Sequence, residues 1–335
     1  MRAIPSWNRP CFILTTYKKY DIINVKKRQG EINMSKDIMT QANNKINVVG
    51  KLLDAVIVDD KLGDGRKYKR ANLTIRVTQT YGGREETSEI PVSMFAAQYT
   101  KQDKPNPGYT QIENLAEMKT AQMVGIDNAD TVRISGANLR ENNFVSRNSG
   151  QLIHGWQINS SFINAGGSAD VASFVIDVYI MDMKPETDRE GEETGRLIIK
   201  GGIVQYQGKL DVVDFIVENQ DTADYIERNW NIDDTVEVRG RIRVTAIEDK
   251  PKATESSWGE DVPEATTRTV RELIITKGSD EPKEEEFAYD KTDIKKAFNV
   301  RKALIEQLQI DAKKGSTPKA AKEPAKAAAK SYDWE

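Results

Sequence analysis

The 335-residue chain has one histidine, His154, and one cysteine, Cys11. A single cysteine excludes an internal disulfide framework and a cysteine-ligated zinc site. A single histidine excludes a histidine metal cluster or a histidine-based triad within one chain. No apolar run approaches the roughly 18 residues of a membrane-spanning helix. No G-x-x-x-x-G-K-[ST] phosphate loop occurs, so ATP hydrolysis has no support. Pairs such as Asp59 and Asp60, or Asp233 and Asp234, read as turn residues and solvated acids rather than a general acid–base couple. His154, beside Gly155 and Trp156, reads as structural. These scarcities leave no expected metal, cofactor or enzymatic chemistry and favour a binding protein.

What is present is 38% hydrophobic and 30% charged, enough for compact cores with long solvated segments. The length suggests about two domains plus tails. The net charge of −3 hides an asymmetry: residues 1–44 carry +5, 45–150 +2, 151–280 −11 and 281–335 +1. Overall acidity does not exclude a nucleic-acid partner, because a groove needs only a local basic lining.

Residues 1–44 show no sustained period and include the basic run Lys26-Lys27-Arg28. They read either as a disordered basic arm or, over residues 1–33, as translated leader with the true start at Met34. The codons for Gln29-Gly30-Glu31 can contain a bacterial ribosome-binding sequence. Mass spectrometry of N-terminal peptides separates the two.

In residues 45–150, a β-branched run around Gly50 predicts a bent first strand. Leu73, Ile75 and Val77 alternate with polar residues as a half-buried second strand does. Tyr81-Gly82-Gly83-Arg84 is a hairpin turn leading to a third strand over 89–96. Residues 105–108 read as a loop, 112–124 as a helix, and 131–139 and 150–158 as paired strands joined through Asn142-Asn143-Phe144. Three strands, a helix and two strands is the order of an OB-fold, a five-stranded barrel.

The order returns in residues 151–280. Strands are expected over 171–180, 197–206, 210–217, 236–244 and 269–276, with a helix over 221–230 capped by Asp221 or Thr222. Residues 184–195 and 248–267 read as acidic loops. Residues 152–163 can close the first unit or open the second. The predicted fold class is therefore mainly β, two OB-like barrels in tandem. An acidic linker and an amphipathic helix follow within 281–311, with the helix from about 291. Residues 312–335 form a flexible Lys- and Ala-rich tail tipped by Tyr332, Asp333, Trp334 and Glu335.

Single-stranded DNA can be held by stacking on aromatic rings plus cationic phosphate contacts, without sequence readout. The first unit supplies both. Arg66, Lys67, Tyr68, Lys69 and Arg70 precede the second strand and Arg76 lies on its polar side. Tyr81 and Arg84 flank the hairpin, Phe95 ends the third strand, and Arg140, Phe144 and Arg147 sit in the last hairpin. Phe144 stands in a polar stretch where a buried ring would be unusual. Tyr68 and Phe95 read equally well as core. In the second unit Arg239, Arg241 and Arg243 share one strand face. Such a ladder repels itself unless nucleic acid, or acids such as Glu237 and the 248–264 stretch, lie across it.

With these residues in place, the first unit resembles bacterial and phage single-stranded DNA-binding proteins. The matching stretches are Asn47-Val48-Val49-Gly50-Lys51-Leu52, residues 87–95 ending Ser93-Met94-Phe95, and Asp130-Thr131-Val132-Arg133-Ile134-Ser135-Gly136. The resemblance implies base stacking on Phe95 and Phe144. It also implies a tail tip that recruits replication or recombination proteins, and a place in the cytoplasm of a bacterial host cell. The chain departs from the family in ending Tyr-Asp-Trp-Glu on a Lys-rich tether, where the family has several aspartates before Pro-Phe. A second barrel is a further departure from the common form. The expected function is non-enzymatic single-stranded DNA binding in phage or bacterial replication or recombination. The alternative is a structural or virion component that uses the barrels for protein contacts.

Overall fold

The computed structural model describes residues 39–315 apart from 101, 147–148, 189 and 250–265. The proposed leader, Arg147, most of the 248–267 loop and the tail tip at Tyr332, Asp333, Trp334 and Glu335 lie outside the described residues. The fold is mainly β with a C-terminal helix. Among the described residues no helix is long and apolar enough to cross a membrane.

The first unit opens with β1 (Asn44–Lys61), β2 (Lys67–Tyr81) and β3 (Arg84–Ala97), an antiparallel meander. Alternation places Leu73, Ile75 and Val77 inside and Arg70, Asn72, Thr74 and Arg76 outside. Gly82 and Gly83, at φ of 56° and 77°, make the tight turn between β2 and β3 that side chains would strain. The expected helix over 112–124 is instead three pieces: α1 (Pro107–Asn114), a 3-10 turn at Leu115–Glu117 and α2 (Ala121–Val124). Asn106, expected in a loop, caps α1 by accepting from the Gly108 N–H, with Pro107 at the first helical position. The break has a local cause. Lys119 N–H donates to the Asp130 carboxylate and Lys119 C=O accepts from Asp130 N–H, so the chain is pinned to the start of the next strand.

That strand is β4 (Thr131–Glu141). A small ribbon follows, β5 (Phe144–Val145) with β6 (Leu152–Ile153), and then β7 (Trp156–Ser160) and β8 (Phe162–Ala165). β3 pairs in parallel with β7, β7 antiparallel with β4, and β4 with β1, which closes a ring of five strands. The closing strand lies beyond the expected boundary at 150, so a cut there removes the ring's last member. Nor does 152–163 open the second unit: β8 turns back to pair with β4.

The second unit repeats the pattern with β9 (Val171–Thr187), β10 (Glu193–Val204), β11 (Leu210–Val217), α3 (Gln220–Asn229), β12 (Thr235–Asp249) and β13 (Thr266–Gly278). β9–β10–β11 is antiparallel, β11 pairs in parallel with β13, and β12 joins β13 to β9. The strands β9 and β10 run into the expected 184–195 loop and shorten it. Asn219 caps α3, accepting from Thr222 N–H, two residues before the expected cap at Asp221. Phe174 and Phe215 meet in the second core, ring centroids 5.7 Å apart. Gly240 is needed there: a Cβ would stand 2.0 Å from Ile274 O and 2.5 Å from Phe174 Cζ. Gly240→Ala is therefore expected to destabilise the chain by about 1–3 kcal/mol or more, read from the urea midpoint.

The two rings are one continuous sheet. Asn44–Val49 of β1 pairs antiparallel with Ile176–Val171 of β9, while Ile46–Lys51 also pairs with β4. Val48 thus has a strand on either side and is fully buried. Polar bonds reinforce the join. Gln205 Nε2 donates to Leu139 O at 3.1 Å, and Arg140 Nε donates to Asp211 at 2.8 Å. Helix α4 (Lys291–Gly315) runs four residues past the expected end at 311. It lies against both β11 and the β5 ribbon. Of the expected apolar face, Ile294 is buried, Ala297 and Phe298 pack on the core, Ile305 and Leu308 are half-buried and Leu304 is exposed.

Candidate nucleic-acid interface

The candidate interface is the outer face of the β2–β3 ladder. Arg70 and Phe95 are direct cross-strand partners. Their side chains therefore share one face, and Tyr68 lies two residues from Arg70 on that face. The rings of Tyr68 and Phe95 are 5.1 Å apart and tilted by 37°. Phe95 is 54% exposed, which settles it as a surface ring rather than core. Tyr68 is half-buried and donates its hydroxyl to Asp60 Oδ2 at 3.1 Å. Desolvation, and then that bond, hold its phenol above the ordinary value. Arg70 makes no ion pair with another described residue, so its charge is available. Lys67, at the mouth of the same strand, is exposed.

Two apolar neighbours were not legible as site residues. Val56 of β1 is 50% exposed, opposite Asn72 on the same face, and Tyr99, four residues beyond Phe95, is 46% exposed. The only sequence signal for Tyr99 was its spacing from Phe95. Val56 sits within a run that reads as uniformly apolar.

The remaining predicted residues are dispersed. Arg66 is paired with Asp64 inside its own turn. Lys69 points to the other face of β2, bound to Asp59 at 2.7 Å and lying over the Tyr109 ring. Arg76 is on the outer face but paired with Glu89. Tyr81 and Arg84 lie at the far end of β2–β3. Thirteen residues of strand separate Tyr68 from Tyr81, roughly 40 Å along the chain at ~3.3 Å per residue. One compact site cannot hold both. Phe144 is half-buried in the ribbon beside α4.

Several cations are already held by carboxylates. Arg140 joins the rings through Asp211, whose carboxyl burial pushes up while Arg140 opposes the shift. Arg241, 8% exposed, reaches Glu86 on β3 and, at 2.7 Å, Glu218, and its guanidinium lies 4.2 Å from the centre of the Tyr81 ring. Arg243 binds Glu218 and Glu272, each at 2.5 Å. Burial opposes its charge, but these bonds outweigh burial and hold its pKa above the ordinary value. Arg239 is exposed and paired with Glu237. Of the two readings of the arginine ladder, the structure holds intramolecular pairing. The acids across it are Glu86, Glu218 and Glu272, brought from other strands; most of the 248–264 stretch lies outside the described residues.

A deletion mutant of the single-stranded DNA binding protein from Thermus aquaticus aligns at 12% identity over 74% of this chain and 98% of that chain, with a TM-score of 0.47. The wild-type protein from the same organism aligns at 12% identity over 73% and 95%, with a TM-score of 0.46. A small single-stranded DNA-binding protein from Streptomyces coelicolor aligns at 13% identity over 37% and 95%, with a TM-score of 0.23. No curated protein matches the chain. Residues 42–311 match the YorF family model, a span that takes in both rings and most of α4, and the chain belongs to the YorF family.

Proposed function

We propose that this protein binds single-stranded DNA, without catalysis, on the outer face of β2–β3. The observation that carries the reading is Phe95, an exposed ring on a strand face, backed by Tyr68 and directly across from the unpaired Arg70. A flat aromatic face accepts any base, and a cation beside it meets the phosphate of the same nucleotide. Arg70 would supply the electrostatic part. The role we assign is in phage or bacterial DNA replication or recombination, with the tip at residues 332–335 as the contact for protein partners.

Titration of the full chain with oligo-dT at two salt concentrations tests this. Binding should weaken with salt, the log–log slope steepening by about 0.7 for each phosphate neutralised on a single strand. Arg70→Ala should lower that slope by about one such step. Absence of salt-dependent binding by the wild-type chain would remove the proposal and favour protein contacts instead.

A further inference from the structure

The two rings can be aligned residue by residue from their ladders. In each, the first strand skips one residue against the second: Leu53 between Leu52 and Asp54, and Met181 between Ile180 and Asp182; β9–β10 has a second irregularity between Glu193 and Leu197. Matching the bulges sets Leu52 on Ile180 and their partners Ile75 on Gly201. Those pair onward with Ile90 and Val213, which fixes the third strands. The same alignment sets Ile46 on Phe174. These two residues are partners in the β1–β9 ladder, as a two-fold axis through that ladder requires. The chain is therefore a pseudo-symmetric pair of rings.

The alignment carries Arg70 onto Arg196 and Phe95 onto Glu218; beyond Arg196 the second irregularity ends the residue-by-residue match, so Tyr68 has no fixed counterpart. Where the first ring exposes a phenyl ring, the second has a carboxylate held by Arg241 and Arg243. Where Arg70 is unpaired, Arg196 is fixed between Glu186 at 3.3 Å and Glu272 at 2.5 Å. Thr194, two residues before Arg196, donates to Glu186 and offers no ring. Glu86, from the β2–β3 hairpin of the first ring, completes the network. A cleft of about 700 Å³ opens beside it, but four carboxylates (Glu86, Glu186, Glu218 and Glu272) there hold three guanidiniums. A phosphate entering would have to displace a carboxylate that is already in place.

We propose that the described residues of the second ring form no strand-binding platform, so that one chain carries one single-stranded DNA site rather than two. Its counterpart surface serves as a socket for the first ring's hairpin. This rests on the function proposed above, and the test separates the two. The full chain is titrated with an oligo-dT of about ten nucleotides, within the ~4–16 spanned by one such ring. Saturation is expected at one oligonucleotide per chain. Arg70→Ala should weaken binding about tenfold, the loss of one charged contact, while Arg196→Ala leaves affinity within about twofold. Arg196→Lys serves in its place if the alanine variant unfolds early. Two oligonucleotides per chain, or an equal loss from Arg70→Ala and a folded Arg196 variant, would overturn the single-site assignment while leaving single-stranded DNA binding intact. A wild-type chain that binds no oligo-dT would remove both.

Discussion

Replacing Phe95 with alanine should weaken oligo-dT binding by about 5- to 150-fold, the range of ~1–3 kcal/mol for one stacked base. The melting temperature should hardly move. Phe95 is 54% exposed and its main neighbour is the half-buried Tyr68, so truncation opens no cavity in either core. The two readouts together are diagnostic. A fall in stability with unchanged affinity would show the ring to be structural. Phe95→Tyr should retain most of the affinity, because a phenol presents the same face to a base. The effect should persist at high salt, where phosphate contacts weaken and stacking does not.

The largest effect on stability is expected from Arg301→Ala. Arg301 reaches back from α4 to Glu141 at the end of β4, with Nε to Oε2 at 2.7 Å and a second bond between Nη2 and Oε1. The side chains are 15% and 7% exposed. Removing the guanidinium leaves a buried carboxylate without its cation, a change that typically costs ~3–5 kcal/mol. For a chain of this size ~1 kcal/mol moves the melting temperature by roughly 2–4 °C, so a drop on the order of 10 °C is expected in thermal unfolding. Arg301→Met with Glu141→Leu should recover much of it, because two apolar groups of similar volume carry no unmet charge. A double variant no better than the single one would assign the loss to packing of the arginine stem near Phe298 rather than to charge.

Most of the strands were legible because one face of each is buried. Alternation at Leu73, Ile75 and Val77 marks such a face, and Gly82-Gly83 marks the turn without reference to anything distant. What was not legible depends on partners far away in sequence. A last strand paired with β4 was expected over 150–158, but its place at Trp156–Ser160 is set by the parallel pairing with β3 as well as the antiparallel pairing with β4. The helix expected over 112–124 has adequate local pattern, but Lys119 is captured by Asp130. The same distinction runs through the candidate site. Tyr68, Arg70 and Phe95 come together because neighbouring strands in a hairpin pair in a register the turn sets. Arg140, Arg241 and Arg243 looked equally available, yet Asp211, Glu86, Glu218 and Glu272 reach them from strands whose order no local pattern gives. A basic residue count identifies cations and is silent on their counter-ions.

The shared strand also sets an order of events during synthesis. While the chain emerges from the ribosome, residues 44–165 can close the first ring, but the outer edge of Asn44–Val49 stays open until residues 171–176 arrive to pair with it. An open edge of alternating apolar residues, Ile46 and Val48 among them, is a template for another nascent chain. Lys45 and Asn47, which interrupt that edge, place one charge and one amide where a second copy would otherwise add a strand. Synthesis on crowded polysomes should therefore be the stage at which this protein is most prone to aggregate, and slowing translation between residues 49 and 171 should aggravate it.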